Sequence, residues 1–456
     1  MKLLPTLLLV FFINTLSAQT NFRNVSFADA LRMAKEEGKM LIMQLESQEC
    51  DPCNEVANKG LDDKEVGNRI EQAFVAIKIS PKHADRSQIE SQYNMPKGFG
   101  TLFIDMNGTL IKKLPGTTSN PKEYLRQIDL ALYSGSEGAR INELEKEYIQ
   151  GNRSISFLES LLIKRRSLNF NTDDLLEEYV SLLSEDSLKS FRTITFIAQM
   201  APMLNSRANT ILHKDQQLFY KAWYAMNMQL RTGINNVIIY KGMKKAVAEK
   251  NEAEAKQVAT FAQTTNMSNY ADGAKAYDKN MLFYYEKTDT SKYFIKAIAY
   301  FDRYYVVVSA DSIRKRDSFT VQMLLKQARI TDSINNKNQK ADTIINGHQL
   351  RRTSIRFTPA AQTYAQDLNN GAWNFYKMTN NPYLLSIALE WSIKSLEFFK
   401  SPEILDTYAR LLYKQNQKQK AIESESEAIA IRRQQKFSTK DYDEILDRMK
   451  RNATVD

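Results

Sequence analysis

The chain has only two cysteines, and they stand three residues apart in Cys50-Asp51-Pro52-Cys53, a short loop after the apolar run Leu41-Ile42-Met43-Gln44-Leu45. Two thiols at this spacing, following a strand-like run, can close a small redox ring at the start of a helix. A disulfide this short encloses almost no chain, so stapling the fold is its weakest use. A zinc site would need two further ligands, and the only histidines, His83, His213 and His348, stand at no recurring ligand spacing. A redox couple is therefore the favoured reading; half of a metal site and an inert relic of a redox fold are the others.

The flanking residues say which fold carries the pair. Residues 26–37 place Phe27, Ala30, Leu31 and Ala34 on one helical face, and Gly38-Lys39 ends that helix before the strand Met40 to Leu45. The cysteines open a second helix carrying Val56 and Ala57. A strand at Phe74 to Ile79, a short helix at Ser87 to Tyr93 and a strand at Thr101 to Asp105 follow. Asn107-Gly108 then turns the chain into Leu110 to Lys113, and a helix from Pro121 to Leu132 closes the segment. Strand, CxxC, helix, strand, helix, hairpin, helix is the order of a thioredoxin fold.

Residues 21 to 133 resemble the thioredoxin-like domains of secreted thiol-disulfide oxidoreductases. The resemblance rests on Phe27, Ala30, Ala34, Gly38-Lys39, Cys50, Pro52-Cys53, Phe74-Val75, Thr101 to Asp105, Asn107-Gly108 and Gly116. It implies that Cys50 attacks a substrate disulfide and Cys53 resolves the mixed disulfide, with Pro52, Gly100 and Thr101 beside the substrate groove and no cofactor. Three residues depart from the pattern. Glu49 replaces the usual Trp, Gln44 replaces the buried carboxylate that relays protons to the resolving cysteine, and Gly100 stands where the family has a cis-proline. A cis Phe99-Gly100 peptide would cost roughly 3 kcal/mol, so a trans bond is expected. Gly100 then serves either an unusual backbone angle or a close approach. Replacing Gly100 by Pro is expected, on the resemblance alone, to raise disulfide-reductase activity. Glu46, Glu49, Asp51 and Glu55 disfavour a thiolate, unless solvent screens Glu49 and Asp51, and place the couple near the reducing end, on the order of −250 mV.

Lys2, the apolar Leu7 to Ile13 and Leu16-Ser17-Ala18 before Gln19 read as a cleaved signal peptide, residues 1–18, with an uncleaved anchor as the other reading. No cysteine near the cut could carry a lipid. No later run reaches transmembrane length. A periplasmic or secreted protein is expected.

Beyond residues 19–133, Ser134-Gly135-Ser136-Glu137-Gly138 reads as a flexible seam, after which Pro and Gly become scarce and apolar spacing turns helical. The expected division is a helical repeat region at 134–308, a helix and polar linker at 309–359, helix hairpins at 360–435 and a terminal helix or tail at 436–456. Aligning Tyr285 with Tyr376 brings Thr288 onto Thr379, Ala297 onto Ala388 and Tyr300 onto Trp391. A further step sets Ala388 on Ala421 and Ser395 on Ala428, at a period close to the tetratricopeptide repeat. From Leu368 to Ile431, Trp373, Tyr376, Ala388, Trp391, Pro402, Tyr408, Ala421 and Ala428 resemble the packing residues of that family. The fold class is thus an α/β thioredoxin-like domain plus an all-α, tetratricopeptide-like solenoid.

The aromatic run Phe283 to Tyr305 has the composition of a base-stacking or carbohydrate platform, but the spacing of Tyr293, Tyr300 and Tyr304 marks a packed helix face. Residues 19–133 are near neutral, and the formal net charge of +10 falls in the helical remainder. In an exported chain that excess suits acidic partner proteins, an anionic envelope surface or solubility rather than nucleic acid. The runs Lys164-Arg165-Arg166 and Arg432-Arg433 read as a solvated face, with contact points for such a partner as the other reading. Two functions survive: an oxidoreductase of reductase or isomerase type, acting on protein thiols or disulfides while the repeats bind a client or partner, and a non-catalytic protein-binding adaptor.

Overall fold

The computed structural model describes residues 20–48, 50–95, 98–136, 141–265, 270–335, 344–345, 348–349 and 357–455. Residues 1–19, with the segment read as a signal peptide, Glu49, and Asn336-Lys337-Asn338 and Arg351-Arg352 of the segment read as a polar linker lie outside them. Two compact units divide the chain between Ile234 and Asn235.

The first unit begins with a small mixed sheet: α1 (Phe27–Glu37), β1 (Met40–Leu45), α2 (Asp51–Leu61), α3 (Lys64–Ala73), β2 (Phe74–Ile79), α4 (Arg86–Gln92), β3 (Gly100–Ile104), β4 (Leu110–Pro115) and α5 (Pro121–Ser136). The strand order is β2-β1-β3-β4. β1 runs parallel to β2 and antiparallel to β3, and β3 runs antiparallel to β4. Ser26 caps α1 and Gly38, at φ 63°, closes it in the left-handed conformation. On one side of the sheet, Ile42, Phe74, Ala76, Phe103 and Ile111 join Ala57, Leu61, Ile70, Tyr124 and Ile128 from α2, α3 and α5 in one buried cluster. Gly60 admits the Tyr124 ring there, since a Cβ would lie 2.5 Å from it.

Two details differ from the sequence reading. The helix α3, started by Asp63 accepting from the amides of Glu65 and Val66, was not anticipated. And Ser134-Gly135-Ser136 continues α5 instead of forming a seam; Glu137 and Gly138 lie outside the described residues.

The remainder of the first unit is helical: α6 (Ile141–Ile149), α7 (Ile155–Ser167), α8 (Asp173–Leu182), α9 (Glu185–Leu188), α10 (Phe191–Gln199), α11 (Arg207–Leu212), α12 (Gln216–Ala225) and the start of α13 (Met228–Ala248). Asn142 Nδ2 reaches Thr109 Oγ1 at 2.9 Å and Asn94 Nδ2 reaches the Asn169 carbonyl at 2.8 Å, joining these helices to the sheet.

The second unit continues with α14 (Glu252–Thr265), α15 (Tyr270–Thr288), α16 (Thr290–Phe301), a π-turn at Asp302–Val306 and α17 (Ala310–Asn335). A two-residue ladder, β5 (Ile344–Ile345) with β6 (His348–Gln349), precedes α18 (Ala360–Met378), α19 (Pro382–Phe398), α20 (Pro402–Lys414), α21 (Lys418–Gln434) and α22 (Lys440–Lys450). α14 pairs with α15, α18 with α19, and α20 with α21. Ala388, Ala421 and Ala428 are fully buried, where their small side chains let helices approach, and Trp391 is buried against Phe301 and Phe375. Tyr293 and Tyr300 are buried as a packed face requires, whereas Tyr304 is only half-buried: the π-turn at Asp302–Val306 shifts the face so that Tyr305 is buried in its place.

The basic runs are not a uniform solvated face. Arg432 is buried, donates to the Ser438 carbonyl at 2.7 Å and stacks on Tyr442; Arg165 pairs with Glu145 at 2.6 Å. Long side chains with apolar stems can be drawn inward where a carbonyl or carboxylate meets the head group.

Candidate functional site

β1 is buried almost throughout and ends at Leu45, so the next residues emerge at the end of the sheet. Cys50 is the N-cap of α2, Pro52 occupies the first turn where no amide hydrogen is needed, and Cys53 follows inside it. Cys50 and Cys53 form a disulfide across a Cα separation of 5.2 Å. The Cys53 N–H donates to Cys50 Sγ at 3.3 Å. That sulfur thus lies at the positive end of a helix, where free backbone donors favour a thiolate once the bond is reduced. Both cysteines are half-buried, so exposure alone does not separate an attacking from a resolving thiol.

Two residues that motif reading passed over hold this loop. Asn54 Oδ1 accepts from the Ser47 amide at 2.7 Å and its Nδ2 donates to the Ser47 carbonyl at 3.0 Å, clamping loop to helix at two points. Arg86, buried on α4, donates to the carbonyls of Glu46 at 2.9 Å, Ile79 at 3.2 Å and Gly98 at 2.6 Å, and its Nε to Glu90 at 2.5 Å. One guanidinium therefore ties together the ends of β1 and β2 and the approach to β3. Its acceptors are backbone groups scattered along the sequence, which leave no spacing to read.

The strand register sets Gln44 beside Lys78 on one side and Thr101 on the other. Gln44 is buried and its Oε1 accepts from Thr101 Oγ1 at 2.7 Å. An amide can hold Thr101 there but cannot exchange a proton. Lys78 Nζ donates to Asn58 Oδ1 of α2 at 2.9 Å and lies 3.9 Å from Glu46, so Glu46 does not stand alone among the carboxylates near the cysteines.

Gly100 serves both purposes left open by the sequence. Its φ is +142°, and a Cβ would lie 2.4 Å from the Leu114 carbonyl oxygen. The Phe99-Gly100 peptide is trans. Proline, with φ fixed at about −65°, does not fit this conformation, so Gly100→Pro is now expected to disrupt the backbone here rather than to raise activity.

Among the described residues, no group of three or more His, Cys, Asp or Glu could hold a metal ion, and no helix is long and apolar enough to cross a membrane. No family model matches the chain, and no curated protein matches it.

Proposed function

We propose that residues 19–133 form a thioredoxin-like domain of an exported thiol-disulfide oxidoreductase, of reductase or isomerase type, whose helical repeats hold a client or partner protein. The observation that carries this reading is the Cys50–Cys53 disulfide at the N-terminus of α2, with the Cys53 amide on Cys50 Sγ. The sheet order, and the placement of α2 directly after β1, support it.

In the reducing direction the Cys50 thiolate attacks one sulfur of a client disulfide. A Cys50–client bond forms, and the other client sulfur leaves as a thiolate and takes up a proton. Deprotonated Cys53 then attacks Cys50 Sγ, the mixed disulfide breaks, the second client thiol departs and the Cys50–Cys53 bond closes. Two electrons have passed to the client, and an external thiol donor restores the dithiol. Gln44 cannot take the Cys53 proton, so solvent or a client group has to accept it. Gly100, Thr101 and Pro52 frame the groove where the client sulfur enters.

The test is trapping. In cells, Cys53→Ser is expected to accumulate mixed disulfides through Cys50, whereas Cys50→Ser accumulates none. The reverse pattern would exchange the two roles. If neither variant traps a client and the reduced protein exchanges with no disulfide, the non-catalytic adaptor, to which the loss of the carboxylate at Gln44 points, takes its place.

A further inference from the structure

Within the first unit, the outward face of α12 is aromatic. Ala222 is fully buried on the inner side, while Tyr220 and Tyr224, one turn apart on the other, are 50% and 68% exposed. Their rings stack on each other with centroids 6.1 Å apart. Behind them Phe219 stacks on Trp223 at 5.7 Å and meets Tyr220 at 5.5 Å, and His213 packs edge-on against Phe219 at 4.3 Å. At the start of α13, Met228 is 75% exposed. Single exposed rings are ordinary on a protein surface; a contiguous set held in fixed geometry is the pattern of an interaction site.

Two cations on this face lack a carboxylate. The Arg231 guanidinium lies 5.0 Å from the Tyr224 ring centroid, and Lys221 Nζ lies 5.7 Å from that of the exposed Phe191. Among the described residues neither head group makes a hydrogen bond or ion pair, the Tyr220 and Tyr224 hydroxyls make none, and Arg231 Nε is buried with no acceptor. By contrast Arg153, Arg165 and Arg192 of the same unit each meet a glutamate. From Phe191 to Ile234 the chain has five Lys or Arg and a single carboxylate, Asp215, which caps α12 by accepting from the Leu218 amide. The sequence thus supplies no acid of its own next to Lys221 and Arg231.

Charge and shape together select the partner. A guanidinium and two tyrosine hydroxyls are donors suited to carboxylates, and rigid rings beside them take apolar side chains at little entropic cost. Tyr, Trp, Met and Arg are also the residues that protein interfaces concentrate. A lipid surface answers this face less well: Gln216, Gln217 and Lys221 stand outward among the rings, whereas a helix lying in a membrane interface buries a continuous apolar face.

We infer that α12 and the start of α13 dock an acidic segment of a partner protein, with its carboxylates on Arg231 and Lys221 and its apolar side chains on Tyr220 and Tyr224. This gives a place and a chemistry to the partner binding of the proposed function and rests on that part of it; thiol exchange does not enter.

The full chain would be titrated by fluorescence anisotropy with a labelled, cysteine-free peptide of alternating Glu and Leu, with the Gln-for-Glu peptide as the uncharged probe and phosphatidylglycerol vesicles as the membrane arm. The acidic peptide is expected to bind with a Kd below about 100 μM at low ionic strength, at least about tenfold more tightly than its Gln counterpart. Tyr224→Ala, at an exposed position, and Arg231→Gln are each expected to weaken it at least about fivefold with unchanged melting temperature. Tyr383→Ala, equally exposed on α19, should leave binding as it is. Equal affinity for the Gln peptide would overturn the inference, as would vesicle binding that depends on Tyr224 and Arg231 where peptide binding does not. If the acidic peptide binds and both variants bind it as well as the parent, this face is wrong while the helices keep a partner elsewhere. If no acidic peptide binds although Cys53→Ser still traps clients, the docking is refuted and the thiol chemistry stands.

Discussion

Gly100 and Arg86 show how single residues shape the region around the cysteines. At φ +142°, with the Leu114 oxygen 2.4 Å from where a Cβ would sit, Gly100 has no room for any side chain. Gly100→Ala is expected to lose about 3 kcal/mol or more through strain and clash, and Gly100→Pro to leave little folded protein. Urea denaturation of both would check this; a folded Pro variant with higher reductase activity would show that the backbone there adapts. Arg86 joins three backbone segments through one planar head group, so Arg86→Ala is expected to cost about 3 kcal/mol and to shift the Cys50–Cys53 reduction potential. Arg86→Lys should not restore either quantity, because a single ammonium cannot reproduce the guanidinium's fixed fork of donors. The cysteines were legible because two thiols three apart have few uses. At Gly100 the sequence left an unusual backbone angle and a close approach both open, since the contact that bars a side chain comes from Leu114 on β4, a strand apart in sequence.

At the level of elements, alternation and periodicity were enough where one face is buried. The strand at Phe74 to Ile79 was read with the bounds it has in the structure, and Ala388 of α19 and Ala421 and Ala428 of α21 are buried as their spacing requires. Polar burial left no such trace. On α20 and α21, Asp406 and Glu425 face one another's charge, with Arg410 bound to Asp406 at 2.8 Å and Glu403, Arg432, Tyr442 and Asp443 around them. Glu425 is fully buried, and burial together with the Asp406 charge pushes its pKa up to about 9. A folded-state pKa above the unfolded value means that the folded chain keeps a proton which the unfolded chain releases. Stability should therefore fall as pH rises from the ordinary glutamate value of 4.5 to about 9, with a slope of up to about 1.4 kcal/mol per pH unit, and flatten above that. Glu425→Gln should remove most of that slope and raise the melting temperature at pH 8. An unchanged pH profile in the variant would mean that Glu425 is ionised in the fold.

On the scale of the whole molecule the division of labour is electrostatic. Residues 19–133 are near neutral while the helices carry the excess behind the net charge of +10. Under the proposed function, the cysteines do the chemistry and the helical surface raises the local concentration of its client. Long-range attraction of this kind acts on the rate of encounter and decays over about 8 Å at physiological ionic strength. Mixed-disulfide capture by Cys53→Ser should therefore be faster for acidic clients, and should slow at least about tenfold for them between low and high salt. Capture of a small neutral disulfide should not change over the same range, because it needs only Cys50. Equal salt dependence for both substrates would place the effect at the thiolate itself. No dependence for either would leave the positive charge of the helices to solubility. The comparison needs only the full-length variant and two disulfides, and it separates recruitment by the helices from reactivity at the helix N-terminus.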